Sequence, residues 1–246
     1  MLFNTFEFIL FFLPIVLIGY FSLTKIRLPK ASDAFIAFAS LFFYSYWNLS
    51  FLPLILSSIL FNYILGLQLN KQDSKNIKFN KTLLIIGILI NLSALCYYKY
   101  ISFILLELNN LLDTNFTLHK VILPLAISFY TFQQISYLVD SYKGEAKEYD
   151  FLRYVVFVTF FPQLIAGPIV HHTEMIPQFL TLRNKFIQYK NILNGLLIFS
   201  IGLFKKVVIA DTFSTWATTG FKSFFIPNFT YQITKTYNNF AFFILP

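Results

Sequence analysis

The sequence predicts an all-α, polytopic membrane helix bundle with re-entrant or interfacial helices on the cytoplasmic side. Three observations point there. The chain is 57% hydrophobic and only 12% charged. Its apolar residues form continuous runs near membrane-spanning length, and its basic residues gather in alternate loops between those runs. A soluble domain carries about 25% charged residues, and 246 residues cannot provide the polar shell that so apolar an interior needs. Lipid is the remaining cover, and 33 phenylalanines suit a surface solvated by acyl chains. Continuous runs, in place of ten-residue segments of alternating polarity, argue against a β-barrel.

The first run covers residues 6–23, with Pro14 inside it. Glu7 is its one charge and no Lys or Arg precedes Lys25, so the basic start of a cleavable signal is missing and the segment reads as a retained first helix. The second run is 34–47, which is short, and the third is 51–69. The fourth covers 82–106; Lys99 within it is read as marking the true end of that helix, the alternative being a cavity-facing lysine. The fifth is 121–139. Runs near 20 residues match a hydrocarbon core about 30 Å thick at about 1.5 Å per residue.

The loops alternate in charge. Lys25, Arg27 and Lys30 follow the first run, and no Lys or Arg lies between the second and third. Lys71, Lys75, Lys78 and Lys81 follow the third, only Lys120 follows the fourth, and Lys143, Lys147 and Arg153 follow the fifth. The positive-inside rule then places the N-terminus outside an inner or plasma membrane, with loops 24–33, 70–81 and 140–153 in the cytoplasm.

Residues 154–170 break the alternation. They are apolar, yet Arg183, Lys185 and Lys190 follow them, so both flanks are basic. Pro162, Gly167 and Pro168 interrupt any helix there. The stretch reads as a re-entrant or broken element entering from the cytoplasmic side, which is tolerated only where protein or a water-filled cavity covers the backbone. Residues 191–210 form another helical run, with Lys205 and Lys206 placed to snorkel and Asp211 poorly spaced for an α-helical ion pair. From residue 221 no clear long helix is visible.

The net charge of +8 lies in short segments between apolar runs and not on one polar face, which points to anionic headgroups and away from nucleic acid. Cys96 is alone, so no intrachain disulfide is expected, and three scattered histidines offer no obvious metal site. Phosphate-binding GxxxxGK[ST], GxGxxG, HExxH and paired CxxC motifs are absent, which removes support for an ATP-driven pump or a zinc protease.

Polar residues in apolar runs are the candidates for function, because they are expensive there. Gln133 and Gln134 lie mid-run near Tyr130, Thr131 and Ser136. They line a substrate path or bond between helices, and interhelical bonding is the preferred reading. Residues 160–179, FFPQLIAGPIVHHTEMIPQF, carry Gln163, His171 and His172. Neighbouring residues on a helix point about 100° apart, so the two histidines do not readily share one ligand position. One of them as a general base is chemically open. The blander reading puts both at the membrane edge, bonded to backbone or lipid phosphate.

Three segments in order, PLAISFYTFQQISYLVDSYKG (124–144), the 160–179 stretch, and GLFKKVVIAD (202–211), together with FNTFEFILFFLPIV (3–16), resemble the membrane-bound O-acyltransferase family. The likeness is strongest to its bacterial alginate O-acetylation and D-alanyl-transfer branch and covers about residues 1–220. It implies a ring of membrane helices around a thinned centre. It also implies transfer of an acyl group, often acetyl, from a cytoplasmic thioester (acetyl-CoA or an acyl carrier) to hydroxyls of an extracellular or cell-wall polysaccharide. No bound cofactor is implied. The partners implied are membrane lipid, the donor and an extracytoplasmic acyltransferase, with no nucleic acid. By resemblance, Gln133, Gln163, Gly167, Pro168, His171 and His172 lie near the funnel where the donor enters.

The family's key histidine follows a later aromatic-rich motif that is not found here, and His171 and His172 match an earlier one. The chain is therefore expected to be the N-terminal half of such an enzyme, 1–220, followed by a divergent or truncated tail, 221–246, and to be inactive alone. A non-catalytic membrane scaffold is the second reading and a transporter or channel the third. The charge pattern makes one direct prediction: a reporter fused after Asn110 reads extracytoplasmic, and a cytoplasmic signal there overturns the topology.

Overall fold

The computed structural model describes residues 2–71, 77–112, 121–146, 150–165, 167, 170–181 and 185–224. Every regular element among them is a helix. Residues 225–246, most of the segment read as a tail, lie outside the described residues. A π-helical turn (Glu7–Phe12) leads into α1 (Leu13–Lys25), followed by α2 (Pro29–Ser45) and, after a short 3-10 turn, α3 (Leu52–Asn70). Then come α4 (Ile77–Leu112), α5 (Ile127–Lys143), α6 (Phe151–Thr159), α7 (Phe161–Leu164) and α8 (His172–Leu180). Last are α9 (Tyr189–Phe204), a π-helical stretch (Lys205–Ala210) and α10 (Asp211–Phe224).

Among the described residues, four helical stretches are long and apolar enough to cross a bilayer: Glu7–Lys25, Leu49–Asn70, Lys78–Asn109 and Tyr189–Thr218. The second and fifth apolar runs instead form 17-residue helices, α2 and α5, each about 26 Å long and slightly short of a full hydrocarbon core. Helices α6, α7 and α8 hold 9, 4 and 9 residues and are far too short to cross.

Two expectations are corrected. The fourth helix does not end at Lys99 but continues through it to Leu112. Lysine is a good helix former, and its ammonium lies 5.5 Å from the centre of the Tyr100 ring, so the charge has company without breaking the helix. The fifth helix begins at Ile127 and not at residue 121. Pro124 precedes it, and Ala126 sits in the left-handed region with φ 58°, so the chain turns into the helix only there.

The chain divides into two compact units: one formed by residues up to Ile15 with the chain from Phe186 onward, the other by Val16–Lys185. In the first, Phe8 packs against Phe199 with ring centroids 6.5 Å apart. Asp211 and Lys206 form an ion pair at 2.7 Å although they are five residues apart. The π-helical stretch between them explains this: its backbone bonds run from i to i+5, as from Asp211 N–H to Lys206 O, and so align residues at that spacing.

In the larger unit α5 packs on α3 and α4, and α6 on α2. Gly66 lets α3 approach α5 closely: a Cβ there would lie 2.4 Å from the Tyr137 ring. The buried core includes Ile55, Ile59, Tyr44, Leu138 and Phe157, whereas Leu89, Phe103 and Leu111 on α4 face outward, as a lipid-solvated surface requires. Inside this core three helices are stitched by amides. Asn62 on α3 and Asn91 on α4 bond reciprocally, Nδ2 to Oδ1, at 3.1 and 2.7 Å. Asn62 Nδ2 also donates to Gln134 Oε1 on α5, which accepts from Ser58 Oγ at 3.0 Å as well.

Replacing Asn62 by Leu takes the donor from Asn91 Oδ1 away from water and one of two donors from Gln134 Oε1, which keeps Ser58 Oγ. The expected loss is about 1–2 kcal/mol in reversible unfolding from mixed micelles. Stability equal to that of the unsubstituted chain would mean that the amide network contributes nothing.

Candidate functional site

The break anticipated within residues 154–170 is present, between two short helices. Helix α6 stops at Thr159, Phe160 takes φ −49°, ψ 108°, and α7 restarts at Phe161 with Pro162 in its first turn. Proline fits a first turn, where its missing N–H is not needed. In an unbroken helix the Phe161 N–H would bond to the Phe157 carbonyl. Here each half of that bond finds another partner. Gln133 Nε2 on α5 donates to Phe157 O at 2.8 Å. Ser40 Oγ on α2 accepts from Phe161 N–H at 3.2 Å. The break is thus satisfied from two neighbouring helices, the condition for irregular backbone at membrane depth.

Beyond the break the chain turns tightly. Gln163 O accepts from Gly167 N–H at 2.9 Å. A Cβ on Gly167 would lie 2.5 Å from Gln163 Cα, so only glycine fits this turn. His171 then stands at the N-cap of α8, in extended conformation, and its side chain does not cap that helix start. Its Nδ1 lies 3.2 Å from Ser136 Oγ and 3.8 Å from Asp140 Oδ2. Ser136 and Asp140 are one turn apart on α5, so one face of that helix presents both to the imidazole. Asp140 is buried, whereas the His171 side chain is 59% exposed.

A second ionic group forms near the start of α2. Asp33, 2% exposed, precedes the apolar stretch of its helix. Lys185 Nζ lies 3.8 Å from one carboxylate oxygen and Arg153 Nε 3.9 Å from the other. Burial pushes the Asp33 carboxyl above the usual carboxylate range, and the Lys185 and Arg153 charges pull it back only in part.

The predicted candidates therefore separate. Gln163 and Gly167 meet in one turn, His171 joins α5, and Gln133 is 4% exposed and holds the end of α6. Pro168 lies outside the described residues, as does the side chain of His172, whose backbone begins α8. Sequence reasoning missed Ser40, Asp33 and Asp140. The spacing of Ser136 and Asp140 on one helix face was the only local signal for the last.

The model of the membrane-bound O-acyltransferase family matches residues 34–244. Among curated proteins, the chain is similar to a peptidoglycan O-acetyltransferase of Helicobacter pylori, at 44% identity over 90% of this chain and 46% of the relative. It is also similar to the probable alginate O-acetylase AlgI of Pseudomonas aeruginosa, at 32% identity over 88% of this chain and 41% of the relative. The Azotobacter vinelandii protein of the same description is 31% identical over 86% of this chain and 42% of its own length. The chain thus spans less than half the length of the curated relatives it matches. No solved structure matches it.

Substituting Gln133 by Leu keeps the volume but strands the Phe157 carbonyl. The expected cost is about 1–3 kcal/mol of stability. Hydrogen exchange should rise first at the backbone amides around the break, and unchanged exchange there would refute the role given to Gln133.

Proposed function

This chain belongs to the membrane-bound O-acyltransferase family, and on that footing we propose that it takes part in moving an acyl group, acetyl in the first instance, from a cytoplasmic thioester to hydroxyls of an extracytoplasmic polysaccharide. The family match over residues 34–244 carries this reading. The names of its relatives, which speak of O-acetylation of peptidoglycan and of alginate, support carbohydrate polymers as the acceptor class.

In this reading the membrane is the bacterial inner membrane and the N-terminus lies outside. The end of α5 that carries Lys143 then faces the cytoplasm, together with Asp140 and His171. The donor, acetyl-CoA or an acyl carrier, enters on that side past Gln163, Gly167, Pro168, His171 and His172. The chemistry is attack of the acceptor oxygen on the thioester carbonyl carbon after a base removes the hydroxyl proton. The base, on the family resemblance, is a histidine beyond the motifs matched here, and those motifs contribute the donor side. An extracytoplasmic acyltransferase then receives or places the acyl group.

The test is complementation. The chain is expressed in Helicobacter pylori cells lacking their peptidoglycan O-acetyltransferase, alone or with the portion of that relative outside the match, and base-labile acetate on peptidoglycan is counted. Acetate is expected only when both pieces are present. Acetylation by the chain alone would overturn the external base. Failure of the pair, with both pieces in the membrane, would overturn the acyl-transfer reading.

A further inference from the structure

A histidine that merely ties a loop to a helix has no need of an open ring. His171 has one. Both of its described polar contacts, Ser136 Oγ at 3.2 Å and Asp140 Oδ2 at 3.8 Å, are made through Nδ1. With Nδ1 protonated, the N–H donates to Ser136 beside the Asp140 carboxylate, and Nε2 is left to exchange a proton outward. The 59% exposure of the side chain keeps that route open. The start of α8 adds a second bias. The His171 side chain does not cap its first backbone N–H groups, and a helix N-terminus favours an anion within its first turn. A solvent-facing ring nitrogen beside a helix start, with Glu174 in the first turn of that helix, suits a proton donor to a small, developing negative charge.

We propose that this charge is the sulfur of the donor: His171 receives the thiolate released from the acyl thioester and gives it a proton from Nε2. The inference rests on the acyl-transfer reading above and names the group that handles its leaving group. The acceptor oxygen bonds to the carbonyl carbon, the C–S bond breaks, and its electron pair departs on sulfur. The Nε2 proton moves to sulfur to give the free thiol. The proton lost by the acceptor hydroxyl to its base balances the one given up by His171, which solvent restores. Ser136 and Asp140 are positioning residues, since they act through the imidazole.

The experiment needs no turnover. The whole chain in lipid nanodiscs is titrated with acetyl-CoA and with free coenzyme A between pH 7.5 and 9.5. The imidazolium–thiolate pair holds one proton. Above the ordinary thiol pKa of about 8.5 free coenzyme A has already lost it, so binding must take a proton up. The affinity for coenzyme A relative to acetyl-CoA is then expected to fall about tenfold by pH 9.5. In His171→Gln the ratio no longer falls. Ser136→Ala, which keeps the ring but loosens it, is expected to lower the ratio at pH 7.5 about threefold. An equally steep fall in His171→Gln, no fall in the unsubstituted chain, or an unchanged ratio in Ser136→Ala overturns the inference and leaves donor binding standing. Failure of acetyl-CoA and coenzyme A to bind at all overturns the inference with coenzyme A as the leaving thiol, while the acyl-transfer reading stands or falls by the complementation.

Discussion

A helix interrupted where water is scarce leaves a carbonyl and an amide that cannot be abandoned, and the larger unit is arranged around that constraint. The bond lost at Phe160 is between Phe157 O and Phe161 N–H, and it is replaced by Gln133 on one side and Ser40 on the other. Each replacement comes from a different helix, so the break also fixes α6 against α5 and α2. The tight turn at Gly167 and the placement of His171 beside α5 both follow from where α7 is allowed to restart. An apolar residue at position 133 or 40 would not simply remove a contact; it would leave the interruption without support.

Helix α5 serves three neighbours because consecutive residues on it point about 100° apart. Gln133 reaches the end of α6, while Gln134 turns to Asn62 and Ser58 on α3. Ser136 and Asp140 meet His171 before α8. Two adjacent glutamines that look redundant in the sequence therefore do different work: one supports a helix end, the other ties α5 to α3, where Asn62 passes the link on to Asn91 of α4. In lipid, packing and such bonds hold helices together where the hydrophobic effect gives little preference for protein over acyl chain.

Much of this was legible beforehand, and the reasons for the failures are local. Long apolar runs mark α1, α3, α4 and α9 because span length is a property of the run itself. The break at residues 159–161 was legible because Pro162 and the doubly basic flanks are local signals. Lys99 misled because a charge inside an apolar run can end a helix or ride on it, and only the neighbouring Tyr100 ring shows which. The start of α5 was misplaced because Pro124 sits in an apolar stretch that hydropathy alone cannot divide. Ser40, Asp33 and Asp140 were passed over because their partners lie far away in sequence: Ser40 bonds to Phe161, and Asp33 meets Arg153 and Lys185. The spacing of Lys206 and Asp211 looked wrong for an α-helix and is right for the wider turn that is present.

That wider turn changes how the neighbouring sequence should be counted. A π turn takes in one residue more than an α turn, so whatever follows it is set back by about 100° around the axis. Gly195 and Gly202, seven apart within α9, share a stripe by ordinary counting. Phe213 and Trp216 on α10 must be counted afresh from Asp211. A helical wheel drawn straight across Lys205–Ala210 would assign α10's faces wrongly. An aligned homologue that lacks one residue in that stretch and runs on as an ordinary α-helix would carry the same surface on the same side, because the wider turn absorbs the extra residue, so a one-letter gap there is a change of turn and not a rotation of the helix.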